Sequence, residues 1–273
     1  MKRRKIWPAG AVATFLCACA QVLGIEDLTR ESVDGNEAGA ADAPGDGAEA
    51  GPDRGGFCAN LTKVPSLCAD FDDGGLGGLE VELKPSAGTS SVTASSAVAL
   101  SPPNALRASV ATTEAEGRAH LKRFFASSSP SRLTATFDLY LEAADPGKNL
   151  ELAAFELRGS SKRCFLTVSA RNVFSVSEVC YVNTASEYTV DHLGTAPVPV
   201  RLKRWVRIDL GVRLAGGTRS VSLKVDGTDA FVDAPLDPRV QVGPVQFTAG
   251  IHFADRPTNV IVFIDNLVAD VQP

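Results

Sequence analysis

Polar and aromatic residues occupy alternate positions in three segments of this chain, and their types are suited to bind a sugar. In a β-strand, alternate side chains lie on the same side of the sheet, so each segment would present them on one face. An aromatic ring can stack on a sugar, and charged neighbours can hydrogen-bond to its hydroxyls. The candidate ligand-binding residues are Asp138 and Tyr140, Glu156 and Arg158, and Trp205, Arg207 and Asp209. An equally weighted alternative is that Trp205 packs beneath a loop at a sheet edge.

Period-two alternation of apolar and polar residues recurs along the second part of the chain. It is clearest in 132–144 and 205–214, which are predicted to be strands with one buried face. The segment 220–225 runs into an Asp-Gly hairpin signal, and 259–271 is predicted to be a largely buried last strand. Further strands are predicted at 105–111, 119–126, 150–158 and 245–253. The predicted fold is therefore all-β, with a dozen or more strands in two antiparallel sheets.

Residues 1–18 have the features of a bacterial export signal, with four basic residues in the first five positions and then a small and apolar run. The run is too short to span a bilayer. The sequence LCAC at 16–19 resembles the lipobox of bacterial lipoproteins, with Cys19 as the first mature residue and Cys17 as a poorer match. This resemblance implies a lipid bilayer as partner through acyl chains on Cys19. Because Ala20 follows Cys19, the lipobox resemblance favours the outer membrane or cell surface of a Gram-negative bacterium. The alternative is an ordinary cleaved signal peptide.

Residues 19–55 are predicted to be a flexible tether. The segment 33–55 has no aromatic residue and one branched aliphatic, so it buries too little apolar surface to offset its ordering entropy. An acidic interaction tail is the alternative, because 26–55 has a net charge of −7. Loss of the leader takes the formal net charge of the chain from −5 to −9, which argues against nucleic acid as a partner. Residues 56–273 are long enough for one large β-sandwich.

Four cysteines remain once the leader is removed: Cys58, Cys68, Cys164 and Cys180. In an exported protein they are expected to form disulfides, for which three pairings exist. A hairpin turn at 170–173 would place Cys164 opposite Cys180, so the two local pairings, 58–68 and 164–180, are favoured. The absence of a C-x-x-C motif and of a nearby histidine argues against zinc.

Several segments resemble the concanavalin A-like lectin/glucanase jelly roll, including laminin G-like modules. They are CADFDDG at 68–74, PPNALRAS at 102–109, KRWVRIDLGVRL at 203–214 with VSLKVDG at 221–227, and FIDNLVAD at 263–270. The resemblance spans nearly all of 57–273 and implies a two-sheet antiparallel sandwich whose ligands lie across the concave sheet. The superfamily includes lectins, glycosidases, lyases and adhesion modules, so the function stays open.

No catalytic motif of that superfamily is complete in this chain. Family 16-type glucanases carry an E-x-D-x-(x)-E strand, whereas Glu80-x-Glu82 is followed by a lysine and the odd spacing of Glu151 and Glu156 predicts opposite faces of a regular strand. Both pairs are interpreted as solvated strand faces. The resemblance to alginate lyases, which use R-x-E-L-R and Q-x-H motifs, is limited to Glu-Leu-Arg at 156–158. The scattered histidines are expected at the surface: His120, His192 and His252.

The jelly-roll resemblance also implies a structural calcium ion near the chain ends. The carboxylates that would serve are those of Asp70, Asp72, Asp73 and Asp265. Calcium needs six or more oxygen ligands, so these carboxylates would have to converge on one point in the fold. No other cofactor is predicted.

The function predicted first is that of an exported lipoprotein displaying a non-catalytic binding module, with a polysaccharide or an envelope protein as its ligand. One alternative is a polysaccharide hydrolase or lyase with a diverged site on the same fold. The other is a structural component of the cell envelope.

Overall fold

The computed structural model describes residues 56–84, 88–112, 116–126, 129–145, 147–159, 162–182, 187–216, 218–236, 243–255 and 258–273. The predicted leader 1–18, the predicted lipidation site Cys19 and the predicted tether 19–55 lie outside these residues. None of the helical structure within the described ranges is long and apolar enough to cross a membrane.

The described chain begins with a short 3-10 helix, Phe57–Asn60, and continues almost entirely as strands. In chain order the strands are β1 (Leu67–Ala69), β2 (Glu80–Lys84), β3 (Gly88–Ser95), β4 (Ala105–Thr112), β5 (Gly117–Phe125), β6 (Arg132–Ala143), β7 (Leu150–Arg158), β8 (Lys162–Ala170), β9 (Val173–Val182), β10 (Glu187–Pro199), β11 (Trp205–Arg213), β12 (Ser220–Val225), β13 (Thr228–Pro235), β14 (Val245–Ala254) and β15 (Thr258–Gln272). The strands predicted from alternation are confirmed, whereas β3 and β10 were not predicted.

The strands form two antiparallel sheets. The eight-stranded sheet has the order β13-β12-β11-β6-β15-β4-β3, with β1 also pairing with β15. The seven-stranded sheet has the order β10-β9-β8-β7-β14-β5-β2. Both orders place sequence-distant strands side by side, so each face of a sheet combines residues from several parts of the chain.

One hydrophobic core lies between the two sheets. In β6 the buried side chains include Leu133, Ala135 and Phe137, and in β11 they include Val206 and Ile208, as the alternation predicts. Each sheet therefore turns one face to the core and an outer face away from it. On the inner strands of a sheet, outer-face side chains are surrounded on both sides, so polar residues there can be buried.

Both predicted disulfides are confirmed. Cys58–Cys68 joins the 3-10 helix to β1, and Cys164–Cys180 joins directly opposed residues of β8 and β9. In the chain-entropy model, closing a loop of the Cys164–Cys180 size stabilises the fold by about 3 kcal/mol.

Candidate functional site

The candidate ligand-binding residues do not share one face, because they are divided between the two sheets. β6 and β11 are neighbours in the eight-stranded sheet, whereas β7 belongs to the seven-stranded sheet. One outer face therefore has Asp138, Tyr140, Trp205, Arg207 and Asp209, and the other has Glu156 and Arg158. The seven candidates therefore form two separate groups, one on each sheet. Alternation shows which residues of one strand share a face, but not which strands share a sheet.

Asp138 and Arg207 form an ion pair across the outer face of the eight-stranded sheet. They are opposite each other in register, and Arg207 Nη1 donates to Asp138 Oδ2 at 2.7 Å. Asn266 Nδ2 donates to the same oxygen at 2.9 Å, and Asp138 is only 6% exposed. The Asp138 carboxylate is therefore occupied by contacts within the protein. Arg207 and Asp209 keep about a third of their side-chain surface exposed, at 34% and 37%.

A loop that we call the strap, residues 96–104 between β3 and β4, is held on this face by Asp265. The backbone N–H groups of Leu100 and Ser101 each donate to Asp265 Oδ2 at 2.9 Å, and Ser101 Oγ donates to Oδ1 at 3.0 Å. Asp265 is fully buried. Burial raises its pKa, and the hydrogen bonds from the strap and from Asn266 oppose that rise. Asp265 therefore serves to fasten the strap.

Three aromatic rings lie side by side across β11, β6 and β15. Trp205 and Tyr140 are opposite in register, with ring centroids 5.4 Å apart, and Tyr140 meets Phe263 edge-on at 6.0 Å. Phe263 is fully buried, whereas Tyr140 and Trp205 are partly exposed. The exposed end of this row is therefore anchored on a buried ring.

On the outer face of the seven-stranded sheet, Glu156 is held by two arginines. Arg158 Nε donates to Glu156 Oε1 at 2.6 Å, Arg163 Nε donates to the same oxygen, and Arg163 Nη2 donates to Oε2 at 3.1 Å. Arg158 Nη2 also donates to Gln246 Oε1 at 3.2 Å. Glu156 is fully buried, so its interpretation as part of a solvated face is wrong. Two guanidinium groups share one carboxylate, which leaves this point of the face with a net positive charge.

Aromatic rings lie directly beside both guanidinium groups. The guanidinium carbon of Arg158 is 5.0 Å from the ring centroid of Phe124, and that of Arg163 is 4.8 Å from the ring of Phe165. These are cation–π distances. Phe124 is 46% exposed, and Tyr181, which packs edge-on against Phe165, is 38% exposed. The face therefore combines exposed rings with fixed positive charge.

Two histidines lie together on the same outer face. His120 on β5 and His252 on β14 have ring centroids 5.2 Å apart and are 1% and 8% exposed. Burial is the largest cause that lowers the pKa of His252 to about 3, and the charges of His120, Arg118 and Arg163 contribute to the same shift. Burial also lowers the pKa of His120, although the carboxylate of Glu82 opposes this shift. Both rings are therefore neutral at neutral pH. The expectation of surface histidines is wrong for these two, and the side chain of His192 lies outside the described part of the structure.

Glu151 lies on the same outer face as Glu156, because β7 contains a β-bulge. The pairing of β7 with β8 shifts between Glu151 and Ala153, which places Glu151 opposite Ser169 and Glu156 opposite Phe165. Ser169 and Phe165 share a face of a regularly paired strand. The prediction of opposite faces is therefore wrong. The two carboxylates are about 13 Å apart along the strand, too far for the carboxylate pair of a glycoside hydrolase.

A group with acid–base capacity lies at the Glu151 end of the face. Burial raises the pKa of Glu151 to about 7, although Arg118 and a hydrogen bond with the Asn149 side chain oppose the rise. The same Arg118 lowers the pKa of His252. The buried Nε of Arg118 has no hydrogen-bond partner among the described residues. The carboxyl group of Glu151, which titrates near neutrality, and the neutral imidazole of His252 thus each interact electrostatically with the Arg118 guanidinium group.

The four predicted calcium ligands fit one ion only in part. The Oδ2 atoms of Asp70 and Asp72 would be 2.5 and 2.7 Å from a Cβ placed on Gly56, so both carboxylates face one point. Asp72 Oδ1 is buried and, within the described ranges, has no hydrogen-bond partner; burial and Asp70 raise the pKa of Asp72. Asp73 Oδ1 instead accepts a backbone hydrogen bond at 2.7 Å, and Asp265 holds the strap. Two carboxylates supply only part of a calcium coordination shell.

A buried group of potential metal ligands lies at the second disulfide. The ligand atoms of Cys164, Glu178 and Cys180 are within 4.8 Å of one another. The two sulfur atoms are bonded to each other. In this oxidised form they are not thiolate ligands.

Sequence reasoning missed Arg163, His120 and His252 as members of the face. Arg158 lies opposite Arg163 in the pairing of β7 with β8, so that register could have revealed the second arginine. The histidines come from strands far apart in the sequence, and no local pattern connects them. Only the pairing of β5 with β14 brings them together.

Comparison with known proteins supports the fold. No known family model matches the chain, and no curated protein matches it in sequence. Among solved structures, it is similar to the cellulose-induced protein Cip1, with a TM-score of 0.52 and 11% identity over 74% of this chain and 96% of Cip1. It is also similar to alginate lyase vAL-1 from Chlorella virus, with a TM-score of 0.50 and 10% identity over 76% of this chain and 99% of that enzyme. The predicted jelly-roll β-sandwich of the concanavalin A-like type is therefore confirmed.

Proposed function

We propose that this protein is an exported polysaccharide-binding protein whose ligand lies across the outer face of the seven-stranded sheet. The observation that supports this most strongly is the sharing of Glu156 by Arg158 and Arg163. One buried carboxylate orients two guanidinium groups whose side chains stay 42% and 53% exposed. A guanidinium has five N–H donors, more than Glu156 and Gln246 occupy here. Among the described residues the remaining donors have no acceptor, so a ligand is able to bind to them.

The ligand best suited to this face is a polysaccharide that carries carboxylates. Guanidinium groups bind carboxylates in a planar, two-pronged geometry. The exposed rings of Phe124 and Tyr181 offer surfaces on which sugars stack. The ring of Phe165 contacts both Arg163 and Tyr181. A chain of uronic acids meets both requirements. The similarity to an alginate lyase supports the same class, since alginate is such a chain.

The proposal is tested by electrophoresis in native gels that contain a dissolved polyuronate. We expect alginate or polygalacturonate to retard the wild-type protein, and the Arg158→Ala/Arg163→Ala double variant to need at least about tenfold more polysaccharide for the same retardation. Retardation should also weaken as salt is added, because exposed charges are screened. Arg132→Ala is the matched control, since it removes an exposed arginine from the other sheet.

Equal retardation of the wild type and the double variant, with both folded by circular dichroism, contradicts the proposal. Failure of every polysaccharide to retard the wild type also contradicts it. That result favours an envelope protein as ligand or a structural role, the other functions predicted from the sequence.

A second candidate function is cleavage of the bound polysaccharide, and the acid–base group at Glu151 favours it. Proton transfer at neutral pH needs groups whose pKa lies near that pH. Glu151 has such a pKa, whereas the pKa of His252, lowered to about 3, makes that imidazole a poor proton acceptor at neutral pH. In an elimination, Glu151 would take the proton beside the uronic carboxylate, the bond to the glycosidic oxygen would break, and that leaving oxygen would take the proton back from Glu151. Arg118 would offset the negative charge that develops on the carboxylate.

Cleavage by elimination creates an unsaturated sugar that absorbs ultraviolet light. If the protein is a lyase, absorbance rises when alginate or polygalacturonate is added, and Glu151→Gln abolishes the rise. A wild-type protein that is retarded by polyuronate but releases neither unsaturated product nor new reducing ends is a binding protein without this activity.

We also propose that acyl chains on Cys19 anchor the protein to the outer membrane or cell surface. The support is the LCAC sequence at 16–19 and the basic, apolar leader before it. Mass spectrometry of the membrane fraction should find an acylated Cys19 at the N-terminus, and Cys19→Ser should release the protein from the membrane. An unmodified N-terminus contradicts the anchor.

A structural calcium ion held by Asp70 and Asp72 stays a prediction. The support is the convergence of their carboxylates on Gly56 and the unpartnered Asp72 Oδ1. Calcium should raise the melting temperature by several degrees over that in a chelator, because a ligand bound only to the folded state stabilises it. Asp72→Asn should remove the difference. Identical melting of the wild type in calcium and chelator contradicts the site.

A further inference from the structure

We infer that the protein has a second polysaccharide site, on the outer face of the eight-stranded sheet at Trp205 and Tyr140, and that its ligand is an uncharged polysaccharide. The inference extends the proposed function to another surface. It does not depend on Arg158 or Arg163, because the two outer faces belong to different sheets. The observations that support it concern the aromatic pair, the balance of charge and the shape of β11.

The aromatic pair is fixed in place but remains accessible. Tyr140 packs edge-on against the fully buried Phe263, and Trp205 packs on Tyr140 with ring centroids 5.4 Å apart. Two partly exposed rings held by a buried third lose little freedom when a ligand binds. Leu202, three residues before Trp205, is a 46% exposed apolar residue. This arrangement suits a sugar ring, which has an apolar face and polar edges.

Positive and negative charges are matched on this face. Its ion pairs join Arg204 to Asp226 at 3.2 Å, Arg207 to Asp138 at 2.7 Å, Arg213 to Asp233 at 3.4 Å and Lys224 to Asp229 at 3.0 Å. Each of these four basic groups therefore has its own carboxylate, unlike the two arginines that share Glu156. A charged polymer gains little from such a face, whereas the hydroxyls of an uncharged sugar can bond to both partners of an ion pair.

The outer side of β11 offers a line of contacts for an extended chain. Trp205, Arg207, Asp209 and Gly211 follow one another on this side, about 6.6 Å apart. A Cβ placed on Gly211 would meet no heavy atom within 4 Å, so the strip beyond Asp209 is open. An unbranched polysaccharide is thus able to stack on Trp205 and continue past Arg207 and Asp209.

The test uses the fluorescence of Trp205. The chain has two tryptophans, Trp7 and Trp205, so the full chain with Trp7→Phe reports on Trp205 alone. We expect an uncharged β-glucan, galactomannan or xylan to change the emission of Trp205 in a saturable and salt-insensitive manner, and alginate to leave it unchanged. Trp205→Leu should weaken retardation by the active polysaccharide about tenfold, and Trp205→Tyr, which restores a ring, should recover most of it.

The outcomes separate this site from the one on the seven-stranded sheet. The Arg158→Ala/Arg163→Ala variant should lose alginate binding and keep binding of the uncharged polysaccharide. If alginate is bound but no uncharged polysaccharide changes Trp205 emission, the second site is wrong and the first proposal stands. If an uncharged polysaccharide binds equally well to folded Trp205→Leu, the second site is also wrong. If no polysaccharide of either kind binds, both proposals fail.

Discussion

The two outer faces of the sandwich have the same alternation of polar and aromatic residues, but their charges are paired differently. On the eight-stranded sheet four basic side chains each have their own carboxylate. There the buried Asp138 bonds to Arg207, and the buried Asp265 bonds to the strap. On the seven-stranded sheet two arginines share Glu156, and two neutral histidines are buried beside them. Alternation therefore locates a polar face. The way in which the charged groups pair decides whether they stabilise the fold or remain available to a ligand.

The largest expected effect that separates the faces is the response to acid. The pKa of His252 is lowered from 6.5 to about 3, so its neutral form contributes stability above pH 6.5 that is lost as pH falls from 6.5 towards 3. The amount is on the order of a few kcal/mol. His252→Phe keeps a ring of similar size but cannot titrate. Between pH 6.5 and 3 this variant should lose clearly less stability than the wild type. Urea unfolding at a series of pH values measures it.

Glu151 provides the opposite control. Its pKa is raised to about 7, so its protonated form contributes stability that is present below pH 4.5 and lost as pH rises from 4.5 to 7. Glu151→Gln should therefore steepen the net gain in stability between pH 4.5 and 6.5. Identical pH profiles for the wild type and both variants would show that these groups do not titrate as their burial requires.

The next largest effect belongs to the strap on the eight-stranded sheet. Asp265→Ala leaves the N–H groups of Leu100 and Ser101 without their acceptor, and it should lower the free energy of unfolding by about 3 kcal/mol. Polyuronate retardation of the folded variant should not change, because Asp265 is on the other sheet. A loss of stability below about 0.5 kcal/mol would contradict the role of Asp265 in fastening the strap.

A smaller effect on stability is expected at Glu156, together with an effect on binding. Glu156→Gln removes the charge that orients Arg158 and Arg163, and it should cost about 2 kcal/mol, because both arginines keep access to water. Polyuronate binding should weaken several-fold as the guanidinium groups lose their fixed geometry. Stability and retardation equal to those of the wild type would mean that the shared carboxylate organises neither.

The sequence was sufficient for most of the strands and for the disulfides, because both depend on local patterns. β6 and β11 bury the residues that alternation selects, and Cys164 lies opposite Cys180 because one hairpin joins their strands. β3 and β10 were missed. The serines and threonines of β3 and the glycine and prolines of β10 interrupt the alternation.

The candidate site was predicted only in part, because it depends on the order of strands and on one irregularity. Pairing of β14 with β5 brings His252 to His120, and no local spacing encodes that contact. The bulge in β7 brings Glu151 to the face of Glu156, where a regular strand would separate them. A bulge adds one residue to one strand, so it reverses the prediction for every residue beyond it.

Hydroxyl-radical footprinting with and without a polyuronate tests the central claim most directly, because it reports which side chains the ligand covers. We predict that bound alginate protects Phe124, Phe165 and Tyr181 and leaves Trp205 as reactive as in the free protein. Protection of Trp205 and Tyr140, with Phe124 and Tyr181 still fully reactive, would contradict the assignment of polyuronate binding to the seven-stranded sheet.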